Sequence, residues 1–181
     1  FRPTWTAVAK SGSTTVTDTS NTVTTAAGGQ RAGCLVGFHS QASIEPPRYA
    51  VWLSKANHTY RVALHATHVA VHLLADIDAD KALAEAFCTR TGDDVDKFAD
   101  VDWEAGPGDV PLLRAVPHRL ILRRRTLLVE ASDHVCVVGE PVHVDDAGPF
   151  TPLRLSAVVH LNPGHDAEER PLPDTERSTG D

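Results

Sequence analysis

The 181-residue chain is 41% apolar and 23% charged, which suits one globular domain of ordinary size with a buried core. Its formal charge of −7 opposes nonspecific nucleic-acid binding, so an anionic ligand needs a local patch of donors and cations. No stretch approaches the roughly 20 apolar residues of a membrane span, and three scattered cysteines without a C-x-x-C argue against a disulfide framework or zinc knuckle and fit a reducing cytoplasm.

In chain order, the opening lacks the basic–apolar–small pattern of a secretory signal, and residues 1–21 read as an irregular N-terminal extension. Its Thr/Ser-rich run leads into a β-branched strand over Thr22–Ala26. Gly28-Gly29 predicts a turn and residues 32–39 a second strand, so the pair reads as a hairpin. Pro46-Pro47 sits outside any ladder and starts a third strand, Tyr49–Ser54; His68–Leu74 is a fourth.

The period then changes. Ala79, Ala82, Leu83, Ala86 and Phe87 recur at helical spacing, with Asp78 or Asp80 able to cap the start and Gly92 just past the end. A shorter helix is expected over Thr59–His65, with Asn57 as a possible N-cap. Residues 93–111 read as acidic loop. Strands are expected at Arg119–Arg123, Thr126–Glu130 and Val135–Val144, the last bent at Gly139 and Pro141, and a final strand at Leu155–Leu161. Residues 162–181 are rich in proline and charge and read as a flexible tail. Seven or eight short strands with one clear helix point to a barrel or sandwich rather than a doubly wound sheet.

Three constellations carry possible chemistry. Ser40 and Ser43 precede the third strand, and Ser54, Lys55, Asn57, His58 and Thr59 follow it. Convergence of these two groups would supply the donors and charge that a phosphate needs, with Arg48 and Arg61 in support; alternatively, the second group is a polar turn capping the next helix. Asp133-His134 stands at a strand entrance, where a carboxylate can hold an imidazole in one tautomer; an ordinary turn is the plainer account. His65, His68 and His72 lack a neighbouring carboxylate and an H-E-x-x-H, and Asp76, Asp78 and Asp80 lack the Gly and Glu of a calcium loop, so no metal site is expected. No dinucleotide fingerprint, P-loop or G-x-S-x-G is present.

The order of parts carries a resemblance. "RAGCLVGFHSQASIEPPRYAVWLSKANHTY" is followed by "ALAEAFCTR", "DKF", "PLLRAVPHRLILRR", "SDHVCVVGEPV" and "PLRL". Ser43-x-x-Pro46-Pro47 ahead of Ser54-Lys55-x-Asn57-x-Thr59, and Asp133-His134 with Gly139 five residues on, are its more specific pieces. Over residues 22–161 the chain resembles the flavin reductase-like family, the FMN-binding split barrels. The resemblance implies a mainly β fold, a six-stranded antiparallel Greek-key split barrel with one or two short helices, in a homodimer with flavin near the subunit interface.

It also implies site residues. Leu35, Val36, Gly37, Phe38, His39, Ser40, Gln41 and Ser43 would follow the isoalloxazine and ribityl chain, largely through backbone N–H groups. Ser54, Lys55, Asn57 and Thr59 would take the phosphate. Asp133 and His134 match the family's Gly-Asp-His signature on the nicotinamide side, with Ser132 in place of its Gly. Where many members carry Thr-x-Asn-Ser, this chain has Leu35, Gly37 and Phe38, so His39 or Gln41 would replace lost hydroxyl contacts. The implied activity is NAD(P)H:flavin oxidoreduction, with FMN (FAD possible) as flavin, NAD(P)H as co-substrate and a downstream oxygenase as possible acceptor; neither nucleic acid nor membrane is an expected partner. The alternatives are a deazaflavin-using oxidoreductase of the same fold and a flavin-holding or electron-relay module without turnover.

Overall fold

The computed structural model describes residues 18–163 except 91, 93, 94, 130 and 131. The extension before residue 18 and the tail after residue 163 lie outside the described residues.

β1 (Asn21–Ala27) and β2 (Gln30–Val36) form the expected hairpin. Gly28 and Gly29 both have positive φ, 56° and 80°, the requirement of a two-residue turn whose twist matches its strands. Two of the three threonines of this strand hand their hydroxyls to carbonyls: Thr24 Oγ1 donates to Pro111 O (2.6 Å) and Thr25 Oγ1 to His68 O (2.9 Å), while the buried Thr22 Oγ1 has no partner among the described residues. β3 (His39–Ser43) and β4 (Arg48–Ser54) make a second hairpin, followed by α1 (His58–Ala63), β5 (His68–Leu73) and α2 (Asp78–Thr89). β6 (Trp103–Ala105) pairs with β7 (Pro111–Leu113), and the long strands β8 (Arg119–Leu128) and β9 (His134–Asp145) close the succession.

Seven strands form one antiparallel sheet in the order β2-β1-β5-β8-β9-β4-β3. Its two end strands, β2 and β3, are joined by Gly37 and Phe38 alone. Two residues can connect opposite ends of a sheet only if the sheet curls until those ends meet, so the architecture is a barrel split between β2 and β3. Counting β2 and β3 as one strand bent at Gly37–Phe38 gives the expected six. Val23, Val51, Val69, Leu122, Val135 and Val137 fill the interior with no exposed surface. A second core, around Phe87, Leu113, Val116 and Leu153, lies beneath α2.

Several local expectations are corrected. The N-cap position of α2 is Ile77, without a side-chain cap; Asp80 instead accepts the Ala75 N–H at 2.6 Å, and burial pushes its carboxyl pKa up. The strands expected at Arg119–Arg123 and Thr126–Glu130 are one strand with irregularities at Ile121/Leu122 and Arg124/Thr126. The second of these lets Arg124 donate to the Ala63 and Leu64 carbonyls (3.0 and 2.7 Å) at the end of α1. Leu155–Leu161 is not a strand: Leu155–Ala157 is a 3₁₀ turn. The stretch read as acidic loop holds a buried lysine, Lys97, whose ammonium donates to Gly33 O (3.0 Å) and Phe87 O (2.9 Å), fastening the end of α2 to β2.

Candidate functional site

The bend between β2 and β3 opens beside a cavity of about 330 Å³, within the range of about 300–1,000 Å³ typical of small-molecule sites. Leu35, Val36, Gly37 and Phe38 form one wall. Trp52, Ser54 and Asn57 supply a second, Phe87 and Cys88 of α2 a third, and Asp133, His134 and Leu155 complete the lining.

The β2 wall is built of backbone. Lys97 reaches the Gly33 carbonyl from outside the β1–β2 ladder. In an antiparallel strand the N–H and C=O of one residue point the same way, and every second residue shares that direction. Leu35 therefore turns its N–H and C=O to the edge that β1 does not use, and β2 is the end strand of the sheet. The result is a strand edge whose peptide groups point away from β1, the Gly33 carbonyl taken by Lys97 and the Leu35 N–H and C=O turned toward an otherwise apolar cavity.

Asp133 and His134 also line the cavity. The Nδ1 of His134 lies 2.9 Å from Asp133 Oδ1. An ionised carboxylate can only accept, so Nδ1 carries a proton, and in the neutral ring Nε2 is left as an acceptor. The hydrogen bond from His134 holds the Asp133 carboxyl below the usual carboxylate range. Phe38, 59% exposed, sets its ring edge-on to His134 with centroids 5.5 Å apart. Register puts Ser54 opposite His134, and Lys55 N donates to Asp133 O at 2.9 Å. The two separated sequence segments are thus neighbours at one end of the β4–β9 pair.

The expected anion corner does not assemble. Ser43 pairs with Arg48 and Ser40 with Ala50, whereas Ser54 lies at the far end of β4. Six residues of strand separate the levels of Ser43 and Ser54, about 20 Å at roughly 3.3 Å per residue. Ser40, Gln41 and Ser43 satisfy one another locally: Ser40 Oγ donates to Gln41 O (3.1 Å) and Gln41 Nε2 to Ser43 O (3.3 Å). His39 does not face the cavity as a replacement donor either. It is 2% exposed, with Nδ1 2.8 Å from Tyr49 Oη and Nε2 3.0 Å from Thr19 O, and burial pushes its pKa down. With Asn21 Nδ2 2.8 Å from Nε2, that network stitches β1, β3 and β4 together where the sheet closes.

Of the expected phosphate group, Ser54 and Asn57 line the cavity. Asn57 caps α1, its side-chain oxygen accepting the Thr59 N–H at 3.0 Å. Lys55 and Thr59 are buried, and Thr59 Oγ1 has no hydrogen-bond partner among the described residues. Arg48 lies at the Ser43 end. Arg61 is on α1, where its Nη2 lies 3.2 Å from His58 Nδ1. His68 and His72 sit on β5; His72 is fully buried, accepting Leu113 N–H at Nε2 and donating from Nδ1 to Thr22 O.

The sequence reading missed Cys34, Trp52, Phe87, Cys88 and Leu155. Trp52 was legible: two residues before Ser54 on one strand, it must share Ser54's face. Phe87 and Cys88 end the helix whose apolar stripe was recognised. Leu155 carried no local signal, since its place depends on Leu153 bonding Leu74 O and Ser20 N–H bonding Leu153 O.

The walls and donors suit a flat, fused-ring group. Apolar side chains face it, an open strand edge offers peptide donors and acceptors to its rim, and an oriented imidazole stands beside it.

Comparison with known proteins agrees. Residues 14–161 match the model of the flavin reductase like domain. The FMN reductase (NADH) SmoA of Agrobacterium fabrum is 32% identical over 108 residues, covering 60% of this chain and 58% of that protein. The stachydrine N-demethylase reductase subunit Stc3 of Rhizobium meliloti is 28% identical over 121 residues, 65% of this chain and 50% of that one. The chain therefore spans 50–58% of the length of these curated relatives. The crystal structure of a flavin reductase domain protein from Arthrobacter sp. FB24 superposes with a TM-score of 0.65 at 26% identity, over 75% of this chain and 80% of that chain.

Proposed function

The chain belongs to the flavin reductase-like domain family, and from that premise we propose that it is an NAD(P)H:flavin oxidoreductase that passes hydride from a nicotinamide to FMN. The observation that carries the proposal is the meeting of the open β2 edge with the Asp133–His134 pair around one cavity. The SmoA relative bears the name of an NADH-dependent FMN reductase.

A bound flavin would supply the two-electron acceptor for hydride leaving the nicotinamide. The protein's part is placement. Leu35 and its neighbours would hold the ring rim through backbone groups, and Trp52, Phe38 and Leu155 would keep water from its faces. Ser54 and Asn57 lie on the side where the ribityl chain would leave. His134 Nε2, held in register by Asp133, would accept from an amide N–H of the nicotinamide and orient it. Such a transfer depends on close, aligned partners rather than on an acid or nucleophile.

Two further parts of the reading follow. Stc3 is named as a reductase subunit of an N-demethylase, and by analogy reduced flavin made here would pass to a partner oxygenase. The outer face of β4, β9 and β8 aligns Trp52, Cys136 and Leu128 across three strands. With exposed Phe38 and Leu128 at its rim, this apolar face suits a second copy of the chain and would place the cavity at a dimer seam.

The test is steady-state NADH and NADPH oxidation with and without added FMN. Oxidation that requires flavin and saturates with it is the expected result. Absence of flavin-dependent oxidation with either nucleotide, although flavin binds, would leave a carrier module in its place.

A further inference from the structure

Phe38 stands between two cavities. The first is the site described above. The second, of about 340 Å³, is lined by Gly37, Phe38, His39, Ser40 and Trp52, all among the described residues. Gly37, Phe38 and Trp52 belong to both, and each cavity has room for a phenyl ring. The backbone here is held. Trp52 N–H donates to Phe38 O at 3.0 Å, and Leu155 Cδ1 lies 3.0 Å from where a Cβ on Gly37 would stand. The side chain is not held in the same way: it is 59% exposed, and rotation about χ1 moves its ring without breaking a backbone bond.

The ring stands edge-on to His134, with centroids 5.5 Å apart and planes at 67°. In the reading above, His134 orients the nicotinamide, and a phenyl ring at that distance in the same cavity competes for the nicotinamide's space. Leaving costs the ring this one edge contact, and the second cavity keeps it beside the Trp52 indole, so the move exchanges one aromatic neighbour for another. Resting on the flavin reductase reading, we infer that Phe38 controls nicotinamide entry: its ring shields the flavin beside His134 and swings into the second cavity as the nicotinamide takes its place. The apparent affinity for the nucleotide is then the intrinsic affinity reduced by the fraction of molecules whose ring has moved aside.

The experiment is anaerobic stopped-flow reduction of the flavin-loaded protein over a range of NADH concentrations, which separates the apparent Kd from the limiting rate. Four proteins are compared: wild type, Phe38→Ala, Ser40→Trp and the double variant. Ser40 lines the second cavity, so Ser40→Trp fills the place the ring would move to. Phe38→Ala should tighten the apparent Kd for NADH about three- to tenfold. Ser40→Trp alone should weaken it about tenfold, with flavin affinity and the limiting rate held. In the Phe38→Ala background Ser40→Trp should change nothing, because no ring needs the space. An unchanged Kd in Ser40→Trp would overturn the inference. Equal weakening with and without the Phe38 ring would also overturn it, since the second cavity would then hold part of the nucleotide itself. Should Ser40→Trp fail to bind flavin, Phe38→Ala decides alone: tighter NADH binding supports the inference, and unchanged or weaker binding overturns it. A wild type that binds flavin and is reduced by neither NADH nor NADPH would remove the reductase reading and this inference with it.

Discussion

His134 depends on its neighbour for its tautomer, because the Asp133 carboxylate 2.9 Å away accepts its Nδ1–H. In Asp133→Asn the amide can present N–H to Nδ1 instead, and the imidazole loses its fixed orientation. That variant should lower kcat/KM for NADH about three- to tenfold, the rate equivalent of one hydrogen bond, with flavin affinity unchanged. Steady-state kinetics and a flavin titration check both halves. A second residue-scale expectation concerns His72. Burial holds it neutral in the fold, with its pKa lowered to about 3, whereas the unfolded chain protonates it near 6.5. Its contribution is fully present above pH 6.5 and is lost as pH falls from there toward 3, with a slope approaching ~1.4 kcal/mol per pH unit. His39, lowered by burial, adds to the same trend. Urea midpoints at pH 7 and pH 5 should show the loss, and His72→Gln, which keeps a donor and an acceptor, should flatten it. At this scale the sequence displayed which side chains could do chemistry, such as Asp133 and His134. It did not display which of the hydroxyls and imidazoles were already engaged: His39 looked available and is locked between Tyr49 and Thr19.

Elements were legible where a residue pattern is read locally. Periodicity gave β1, β4, β5 and α2 to within a residue or two because each buries one face along its own length. It failed where a long-range bond decides. Three consecutive arginines interrupted the apolar pattern of β8, yet the strand continues through an irregularity that sends Arg124 to the end of α1. Leu155–Leu161 alternates like a strand and has no ladder to join. The convergence of Ser43 with Ser54 failed on strand length: Ser43 pairs with Arg48 at the start of the seven-residue β4, and Ser54 ends that strand. The packing of α2 on β2 yields an expectation at this scale. A Cβ on Gly33 would lie 2.7 Å from Phe87 Cε1 and 3.1 Å from Val23 O, with β1 backbone on one side and a fully packed ring on the other. Gly33→Ala should therefore cost about 1–3 kcal/mol of stability in urea unfolding and, by shifting Phe87 from the cavity wall, weaken flavin binding. An unchanged midpoint would mean that α2 docks more loosely than the structure has it.

For the whole molecule, the curl of one sheet does two things. It brings β2 and β3 together without pairing them, leaving a strand edge open for a ligand, and it turns the β4–β9–β8 face outward with Trp52, Cys136 and Leu128 aligned. Leu128→Lys places charge in that face and should shift a dimer to monomer in sedimentation while a urea midpoint stays near wild type. If the wild type already sediments as a monomer, the shared-groove reading is wrong. The central claim is that hydride reaches a flavin lying in the cavity beside Gly37–Phe38. The most direct measurement is anaerobic stopped-flow mixing of the flavin-loaded protein with NADH and with NADH deuterated at the transferred position, in the wild type and in Leu155→Trp, which fills the cavity. Bleaching of the flavin band with a primary isotope effect in the wild type, and its loss in the variant, is the predicted result. Bleaching at the same rate in both proteins would place the chemistry elsewhere.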